Sequence, residues 1–381
     1  MKKQKTILVL TSGGLASTLN ATLFGVIKSA RKLNYKILGG VYGWASLVQH
    51  APIIDLTKLN IHAVKNRGGN FLRSSRTNPL KVQNGIINLK EKIAKYKIDA
   101  IIAIGGNDTL GAATKLYQQE KIPIIGLPKT IDNDLPITYF SPGFPTAAYY
   151  AAKLAAETKE DSAYSMSRVY ILEMYGANAG WLTCSTALGG ADIIIPPEWQ
   201  FNLTDLIKLV KQKYEANGNY CVIALSKDAR IKGLKGFLDT QFDGFGNIRQ
   251  EFLSIKLKEK IESQLGLTTK IIIPMNYFQS GNPISLDWQM GEQLGRAGVE
   301  LIKNKQFGSA AVVDFKNKKF TVKIVPLKLF KDATQKMDSS YFNKTAMQPT
   351  RKYFNYLKTL LGNSRFIDKK YLKLQKIIAK K

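Results

Sequence analysis

The 381-residue chain has few of the residues that carry thiol, imidazole or zinc chemistry. Its two cysteines, Cys184 and Cys221, lack metal-binding spacing, which predicts reduced core thiols. Its two histidines, His50 and His62, lie in no motif, so histidine acid–base catalysis is disfavoured. No apolar run approaches the ~20 residues that span a bilayer, and Met1–Lys5 leads into a short strand rather than a signal sequence. We therefore expect a soluble, cytoplasmic protein without a membrane partner.

Acidic residues are scarce: the chain has 28 Asp and Glu residues and 56 Lys and Arg residues, which gives a formal net charge of +28. Such a charge is compatible with nucleic acid, an anionic surface or phosphorylated substrates. The basic residues are spread along the chain rather than gathered in one patch with aromatics, which favours a solvated surface and makes nucleic acid an unlikely partner. The densest basic run is Lys369–Lys381, and residues 363–381 are predicted to be a basic C-terminal tail, for which nonspecific polyanion binding is the alternative.

Continuous apolar runs alternate with helical patterns, as is typical of parallel strands buried on both faces. The length favours two domains, and the runs fall into two successive sets. We predict an α/β fold with two doubly wound parallel-sheet domains that bind ligands at the carboxyl ends of their strands. The division is expected near Ser141–Pro145, before an Ala-rich helix at Thr146–Glu157. The predicted strands are Thr6–Leu10, Ile37–Val41, Ile98–Ile104 and Ile122–Leu127, then Arg168–Met174, Ile193–Pro196, Tyr220–Leu225 and Lys270–Pro274.

Two glycine pairs follow strands of the first set. One lies in TSGGLAST (Thr11–Thr18), and the other in AIGGNDTL (Ala103–Leu110), where the polar residues after the glycines are placed at a helix start. Unpaired backbone N–H groups at such a helix start favour phosphate. A glycine pair alone is explained equally well by a tight turn. In the second pair, the position that often carries a metal-binding carboxylate holds the amide Asn107.

The third loop, PKTIDND (Pro128–Asp134), combines a lysine, a threonine and two aspartates behind a buried strand. Asp132 and Asp134 lie two residues apart, so in an extended segment their carboxylates share a face. One could take a proton from a hydroxyl group while the other helps to hold Mg²⁺. Lys129 would supply a cation for a transferring phosphate. The alternative is an Asx-rich turn without a catalytic role.

These motifs resemble those of the phosphofructokinase family, and the resemblance continues to about Gly362. It implies Mg²⁺-dependent transfer of a phosphoryl group from pyrophosphate or ATP to the 1-hydroxyl of fructose 6-phosphate or a related sugar phosphate, in a dimer or tetramer. It also implies a donor domain of residues 1–143 plus about 279–330, and a sugar-phosphate domain of 144–278 plus about 331–362. The further matching segments are GNFLRSSR (69–76), EMYGANAGWL (173–182), GADIIIPPE (190–198) and YFQSGNP (277–283).

The resemblance assigns roles to matching positions. Asp132 would be the base, assisted by Lys129, and Arg168 would reach the 6-phosphate bound by a neighbouring subunit. The metal would lie at Asn107 and Asp134. The implied donor-binding residues are Gly14, Arg76, Gly106, Asp108 and Thr109, and the implied sugar-phosphate residues are Thr130, Asp132, Arg168, Tyr175, Gly176, Lys227, Tyr277 and Ser280.

Two positions favour pyrophosphate as the donor. Asp108 stands where ATP-dependent members keep a small glycine, and it would crowd an α-phosphate. Lys129 stands where pyrophosphate-dependent members place a lysine. Phe24 replaces the arginine of a nucleotide effector site, which predicts that this form of regulation is absent.

Other positions depart from the family pattern. Asn107 replaces a metal-binding aspartate, and Ala177, Ile271 and Ser280 replace arginines of the sugar-phosphate site, while Lys227 replaces a glutamate. Each lost charged hydrogen bond is worth ~1.5–3 kcal/mol. Three hypotheses therefore stand: a pyrophosphate-type phosphotransferase; a catalytically impaired pseudoenzyme that binds phosphorylated ligands or regulates a paralogue; and a basic protein that binds nucleic acid through its tail.

Overall fold

The computed structural model describes residues 4–234, 237–242, 248–331 and 334–378. The chain forms two compact units, whose main segments are Met1–Thr146 with Gln279–Gln335 (unit 1), and Ala147–Gln241 with Ile248–Phe278 and Lys336–Lys381 (unit 2). The chain thus passes from unit 1 to unit 2 beside the segment 141–145, where the sequence predicts a division. The donor and sugar-phosphate roles of the two units stay predictions.

The predicted α/β class is confirmed, and each predicted strand is present close to its predicted bounds. The strands are β1 (Thr6–Thr11), β2 (Lys36–Gly40), β3 (Ile53–Asp55), β4 (Ala100–Gly105), β5 (Ile124–Pro128), β6 (Val169–Met174), β7 (Ile193–Ile195), β8 (Gln200–Asn202), β9 (Cys221–Ser226), β10 (Arg230–Lys232), β11 (Phe237–Phe242), β12 (Ile248–Glu251), β13 (Thr269–Ile272), β14 (Ser309–Lys316), β15 (Lys319–Pro326), β16 (Phe342–Asn343) and β17 (Gln348–Pro349).

Helices follow most of the parallel strands, as the doubly wound pattern requires. The α-helices are α1 (Leu19–Lys32), α2 (Ala45–Val48), α3 (Gly85–Tyr96), α4 (Asn107–Glu120), α5 (Phe144–Glu157), α6 (Trp181–Ser185), α7 (Leu203–Asn217), α8 (Leu253–Leu265), α9 (Tyr277–Ser280), α10 (Ser285–Lys303), α11 (Arg351–Leu361) and α12 (Lys369–Ile378). Among the described residues, none of the helices is long and apolar enough to cross a membrane.

Unit 1 is built on a seven-stranded sheet in the order β15-β14-β5-β4-β1-β2-β3. The strands from β14 to β2 are parallel, whereas β15 and β3 pair antiparallel at the two edges. Every residue of β1, β4 and β5 is buried, which agrees with their continuous apolar sequences. The carboxyl ends of β1, β4 and β5 therefore meet at one edge of the sheet, where the three predicted loops begin.

Unit 2 contains a four-stranded sheet in the order β13-β6-β9-β7, in which all pairs are parallel. Both cysteines are free and buried in this unit, as expected for reduced core thiols. The predicted tail contains a helix: within α12, the buried Gln375 side chain donates to the Glu160 carbonyl at 3.3 Å.

Helices α1 and α10 of unit 1 pack with little space between their backbones. A Cβ atom added to Gly25 would lie 2.2 Å from the Glu292 carbonyl oxygen, and one added to Gly295 would lie 2.3 Å from the Thr22 carbonyl oxygen. Side chains cannot be accommodated at such distances, so glycine permits the close approach. This contact holds the middle of α10 against the helix that follows the first glycine loop.

Candidate active site

The first glycine loop follows β1 and is held by the segment that leads to Arg76. Gly13 has φ +85°, a left-handed conformation that glycine adopts at low cost. Its N–H donates to the Ser75 carbonyl at 3.1 Å, and the Ser74 hydroxyl donates to the Gly13 carbonyl at 2.6 Å. The structure therefore brings Arg76 beside Gly13 and Gly14, although the two segments are far apart in sequence.

The second glycine loop ends at the N-terminus of α4. Gly106 is the N-cap residue and lacks a side chain to satisfy the first N–H groups of the helix, while Asp108 lies exposed in the first turn. The buried Thr109 hydroxyl has no hydrogen-bond partner among the described residues, and it lies 3.7 Å from the position of a Cβ atom on Gly13. Backbone N–H groups and a spare hydroxyl next to a glycine loop are suited to phosphate.

Lys129 is 2% exposed and connects the loops at the ends of β1, β4 and β5. Its N–H donates to the Gly105 carbonyl at 2.9 Å, and its ammonium donates to the carbonyls of Ser12, at 3.3 Å, and of Gly14. Burial lowers the pKa of Lys129 to about 8; Asp132 opposes this shift and Arg76 adds to it. A cation is thus fixed directly behind the first glycine loop.

The segment that carries the two aspartates bends, so the expectation that it is extended was wrong. Asn133, between Asp132 and Asp134, has φ +56°, a left-handed conformation that asparagine tolerates better than most residues. The Thr130 hydroxyl donates to Asp132 Oδ2 at 3.1 Å. Asp132 nevertheless lies close enough to Asp134 to raise its pKa. The bend therefore keeps the two carboxylates together, although they do not share the face of a strand.

Asn107 and Asp134, predicted from the resemblance to contact a metal, are in direct contact. Asn107 Nδ2 donates to Asp134 Oδ2 at 2.7 Å. Burial, and then Asp132, raises the pKa of Asp134 to about 7, and the Asn107 hydrogen bond opposes this. Asn107 Oδ1 is buried and has no partner among the described residues.

These groups fit a magnesium ion that shares its coordination with a substrate. Mg²⁺ takes oxygen ligands, is commonly held by one or two carboxylates, and completes its shell with water and phosphate oxygens. Asp134 provides a carboxylate, and the unpartnered Asn107 Oδ1 provides an oxygen that a cation or its water shell would satisfy. Within the described ranges, no group of three or more His, Cys, Asp and Glu residues could hold a metal by itself.

In unit 2, the structure brings Tyr175, Gly176 and Lys227 together at the carboxyl ends of β6 and β9. The Lys227 N–H donates to the Met174 carbonyl at 2.9 Å, and its ammonium lies 5.8 Å from the centre of the Tyr175 ring and 3.5 Å from Asp228. Gly176 has φ +146°, a conformation that is available almost only to glycine. A tyrosine, a lysine and a glycine turn thus occupy the expected end of this sheet.

The other predicted sugar-phosphate residues are not all part of that cluster. Arg168 immediately precedes β6, at the opposite end of the strand from Tyr175, which corresponds to about 20 Å of extended chain. Within its own chain, Arg168 is therefore separated from this cluster; its predicted role lies in the site of a neighbouring subunit and stays a prediction. Tyr277 belongs to unit 2, where its 47% exposed side chain packs on Tyr150 with ring centres 5.6 Å apart, whereas Ser280 belongs to unit 1.

Gln279, which was not among the residues predicted from the sequence, lies beside the first glycine loop. A Cβ atom on Gly14 would lie 3.4 Å from Gln279 Nε2. The amide therefore adds a donor next to Gly14. Its place in YFQSGNP, a segment already singled out, was the available signal, but only the fold shows that it meets Gly14.

Taken together, the features of unit 1 define a phosphate-handling site on a doubly wound α/β sheet. Comparisons with known proteins agree. A sequence model of the phosphofructokinase family ("Phosphofructokinase") matches residues 6–302. The chain is 36% identical over 304 residues to a pyrophosphate–fructose 6-phosphate 1-phosphotransferase from Dictyoglomus thermophilum. The matched region covers 79% of this chain and 87% of that protein. It is 31% identical over 306 residues to ATP-dependent 6-phosphofructokinase 3 from Streptomyces coelicolor, covering 79% and 88%.

The fold has close counterparts among solved structures. A pyrophosphate-dependent phosphofructokinase from Marinobacter aquaeolei superposes with a TM-score of 0.83 and 24% identity, covering 94% of this chain and 92% of that one. The chain belongs to the phosphofructokinase family.

Proposed function

We propose that this protein transfers a phosphoryl group from pyrophosphate to the 1-hydroxyl of fructose 6-phosphate or a closely related sugar phosphate. The observation that supports this most strongly is the group at the carboxyl ends of β1, β4 and β5. A buried lysine lies behind a glycine loop, and Asp132 lies on the adjacent bend. A helix N-terminus presents the Thr109 hydroxyl, which has no hydrogen-bond partner in the part of the chain that the structure describes. Family membership adds the reaction type.

In the proposed reaction, the Asp132 carboxylate takes the proton of the sugar hydroxyl. The hydroxyl oxygen forms a bond to the terminal phosphorus of pyrophosphate, and the bond from that phosphorus to the bridging oxygen breaks to release orthophosphate. The hydrogen bond from Thr130 holds the Asp132 carboxylate in one orientation. Lys129, Thr109 and the N–H groups of α4 stabilise the negative charge of the phosphate oxygens.

Asn107 and Asp134 would hold Mg²⁺, which supplies positive charge beside the donor phosphates when it is bound. Asn107 adds an oxygen without a charge, and its amide already satisfies one oxygen of Asp134. We therefore propose a metal site weaker than one formed by two carboxylates.

Pyrophosphate is the preferred donor in this proposal for reasons of charge and space. Asp108 is exposed in the first turn of α4, where its carboxylate would repel the additional phosphate of a nucleotide. The fixed Lys129 ammonium matches a compact diphosphate. Two of the more similar relatives, from Dictyoglomus thermophilum and Streptomyces coelicolor, carry pyrophosphate in their names, although ATP-dependent relatives also match.

A homo-oligomer and a cytoplasmic location complete the proposal. Arg168 lies at the end of β6 away from Tyr175 and Lys227, which supports its action on a neighbouring subunit's sugar phosphate.

The proposal is tested by comparing the wild-type protein with Asp132→Asn in the presence of Mg²⁺, pyrophosphate and a panel of sugar phosphates. Loss of a positioned general base should lower kcat by ~10²–10⁴-fold and leave pyrophosphate binding, measured by calorimetry, near the wild-type value. Equal rates in the two proteins would show that Asp132 is not the base.

A further inference from the structure

Asp287, in the first turn of α10, is fully buried in unit 1 and receives three hydrogen bonds from the start of α5. Its Oδ1 accepts from the Gly143 N–H at 2.8 Å. Its Oδ2 accepts from the Thr146 N–H at 2.8 Å and from the Thr146 hydroxyl at 2.5 Å. A single carboxylate thus satisfies N–H groups that the beginning of a helix leaves unpaired.

Gly143 connects this carboxylate with the candidate active site. It has φ +107°, and it forms a β-bridge with Thr130. A Cβ atom on Gly143 would lie 2.6 Å from Ala16 Cβ, just after the first glycine loop, and 3.2 Å from the Thr130 carbonyl oxygen. Gly143, which Asp287 holds, is therefore in contact with the first glycine loop at Ala16 and with the aspartate-bearing segment at Thr130.

The residues just before Gly143 hold the aspartate bend on both sides of Asp132. The Thr130 N–H donates to the Pro142 carbonyl at 3.1 Å. The Ser141 N–H donates to Asn133 Oδ1 at 2.8 Å. The bend that carries the proposed base is thus tied to segment 141–143 by two hydrogen bonds.

The anchor of this segment is itself rigid. The Asp287 carbonyl accepts from the Thr18 hydroxyl at 3.0 Å, at the start of α1, and α10 packs closely on α1 through Gly25 and Gly295. A displacement of Asp287 would require the two helices to separate.

We infer that Asp287 is a positioning residue for phosphoryl transfer: through Gly143 and segment 141–143, its carboxylate fixes the bend that carries Asp132. The expected effect on kcat rests on the proposed function. The expected effect on hydrogen exchange in the bend does not depend on any activity. Asp287 does not contact the reacting atoms; it determines where the base lies relative to the glycine loop.

The test is the substitution Asp287→Asn, which keeps the volume but presents an NH₂ group toward backbone N–H donors. At pH 8, kcat should fall by ~10–10²-fold, since small displacements of reacting groups cost about this much. KM for pyrophosphate should stay within about threefold of the wild-type value, because the hydrogen bonds of the Asp287 carboxylate go to Gly143 and Thr146 and not to Gly13, Gly14 or α4. Hydrogen exchange at Thr130 and Ser141 should become faster by at least about tenfold, since their acceptors are no longer fixed.

Asp99→Asn is the matched control. Asp99 Oδ2 accepts from the Thr6 N–H at 2.7 Å, which places it at the opposite end of β1 and β4 from the loops. This variant also loses a carboxylate-to-backbone bond in unit 1, and it should keep its kcat and the slow exchange of Thr130. Where Asp287→Asn fails to fold, Thr146→Val removes one of the three donors and should give a smaller change of the same kind, whereas Thr146→Ser should restore the wild-type values.

Wild-type kcat in Asp287→Asn, unchanged exchange at Thr130 and Ser141, or equal losses in Asp99→Asn would each overturn the inference. A wild-type protein without turnover would instead count against the proposed function. In that case, the exchange measurement still decides whether Asp287 fixes the bend.

Discussion

The contact between Asn107 and Asp134 bears on the proposed metal site. In place of two adjacent carboxylates, the chain has an amide that donates to a carboxylate at 2.7 Å. The amide hydrogen bond opposes the burial that raises the Asp134 pKa. We therefore expect folding of this site to depend less on Mg²⁺ than it would with two carboxylates.

The substitution Asn107→Asp should make the stability of this site depend more strongly on Mg²⁺. Without Mg²⁺, it replaces a charged hydrogen bond worth ~1.5–3 kcal/mol by a repulsion between carboxylates, so the melting temperature in EDTA at pH 8 should fall. Added Mg²⁺ should then raise the melting temperature more than in the wild type, and turnover should increase.

Asn84→Asp, an exposed change of the same charge at the start of α3, is the control and should show neither effect. If Asn107→Asp tightens Mg²⁺ binding and turnover stays at background, the protein is a pseudoenzyme with a repaired metal site. An unchanged Mg²⁺ response would show that Asn107 is not at the metal.

Lys129 should make the reaction sensitive to alkaline pH. Burial lowers its pKa to about 8, so the ammonium that is proposed to stabilise the donor phosphates loses its proton as the pH rises through that value. We expect kcat/KM for pyrophosphate to fall about tenfold per pH unit above pH 8. Lys129→Met should be slow at all pH values and lack this fall. Parallel profiles for the two proteins would assign the fall to the substrate or another residue.

At the scale of elements, glycine positions in loops decide how closely the active-site segments approach one another. Gly143 combines a positive φ with a contact to Ala16 that leaves no space for a side chain. Gly266, which ends α8, has φ +67° and no heavy atom within 4 Å of an added Cβ. Substitutions at these two glycines therefore distinguish two contributions to the free energy of unfolding: the cost of a left-handed backbone alone, at Gly266, and that cost plus steric crowding, at Gly143.

Gly266→Ala should lower the free energy of unfolding by about 1 kcal/mol, the cost of a left-handed alanine. Gly143→Ala adds crowding and should cost about 2–5 kcal/mol in total. It should also lower kcat, because Thr130 and Ala16 must move. Urea denaturation and steady-state kinetics measure both quantities, and equal effects of the two substitutions would contradict the role of the Gly143 contact.

Strands with continuous apolar sequences, such as β1, β4 and β5, could be predicted from the sequence. The loops at their carboxyl ends could be predicted as well. The pair β14 and β15 was not identified. Along most of its length β15 alternates exposed and partly buried positions, as an antiparallel edge strand does, whereas the continuous apolar run of β14 was overlooked. Its turn, Asn317-Lys318, has positive φ at both residues, which matches a tight hairpin. A search for period-two alternation would have found it.

The identity of the site residues could be predicted better than their contacts. The motif indicated Lys129, Asp132 and Asp134, but not the burial of Lys129 or the bend at Asn133. Asp287 meets Gly143 across 144 residues of sequence, and such a contact depends on the packing of α10 rather than on any local pattern.

At the scale of the whole molecule, the position of Arg168 predicts that active sites are shared between subunits. Arg168→Ala and Asp132→Asn should each be nearly inactive alone. When they are mixed and allowed to exchange subunits, half of the dimers are hybrids with one intact site, so about a quarter of the wild-type activity should return. A mixture that is no more active than its parents would place Arg168 and Asp132 in the site of one chain, or exclude a role for Arg168.

The central claim is that the protein uses pyrophosphate to phosphorylate a sugar phosphate, and phosphorus NMR of the wild-type protein tests it most directly. With Mg²⁺, pyrophosphate and fructose 6-phosphate, the account predicts that the pyrophosphate signal is replaced by equal amounts of orthophosphate and a new phosphate ester. ATP in place of pyrophosphate should react more slowly. Spectra that do not change with either donor, or a faster reaction with ATP, would contradict the account.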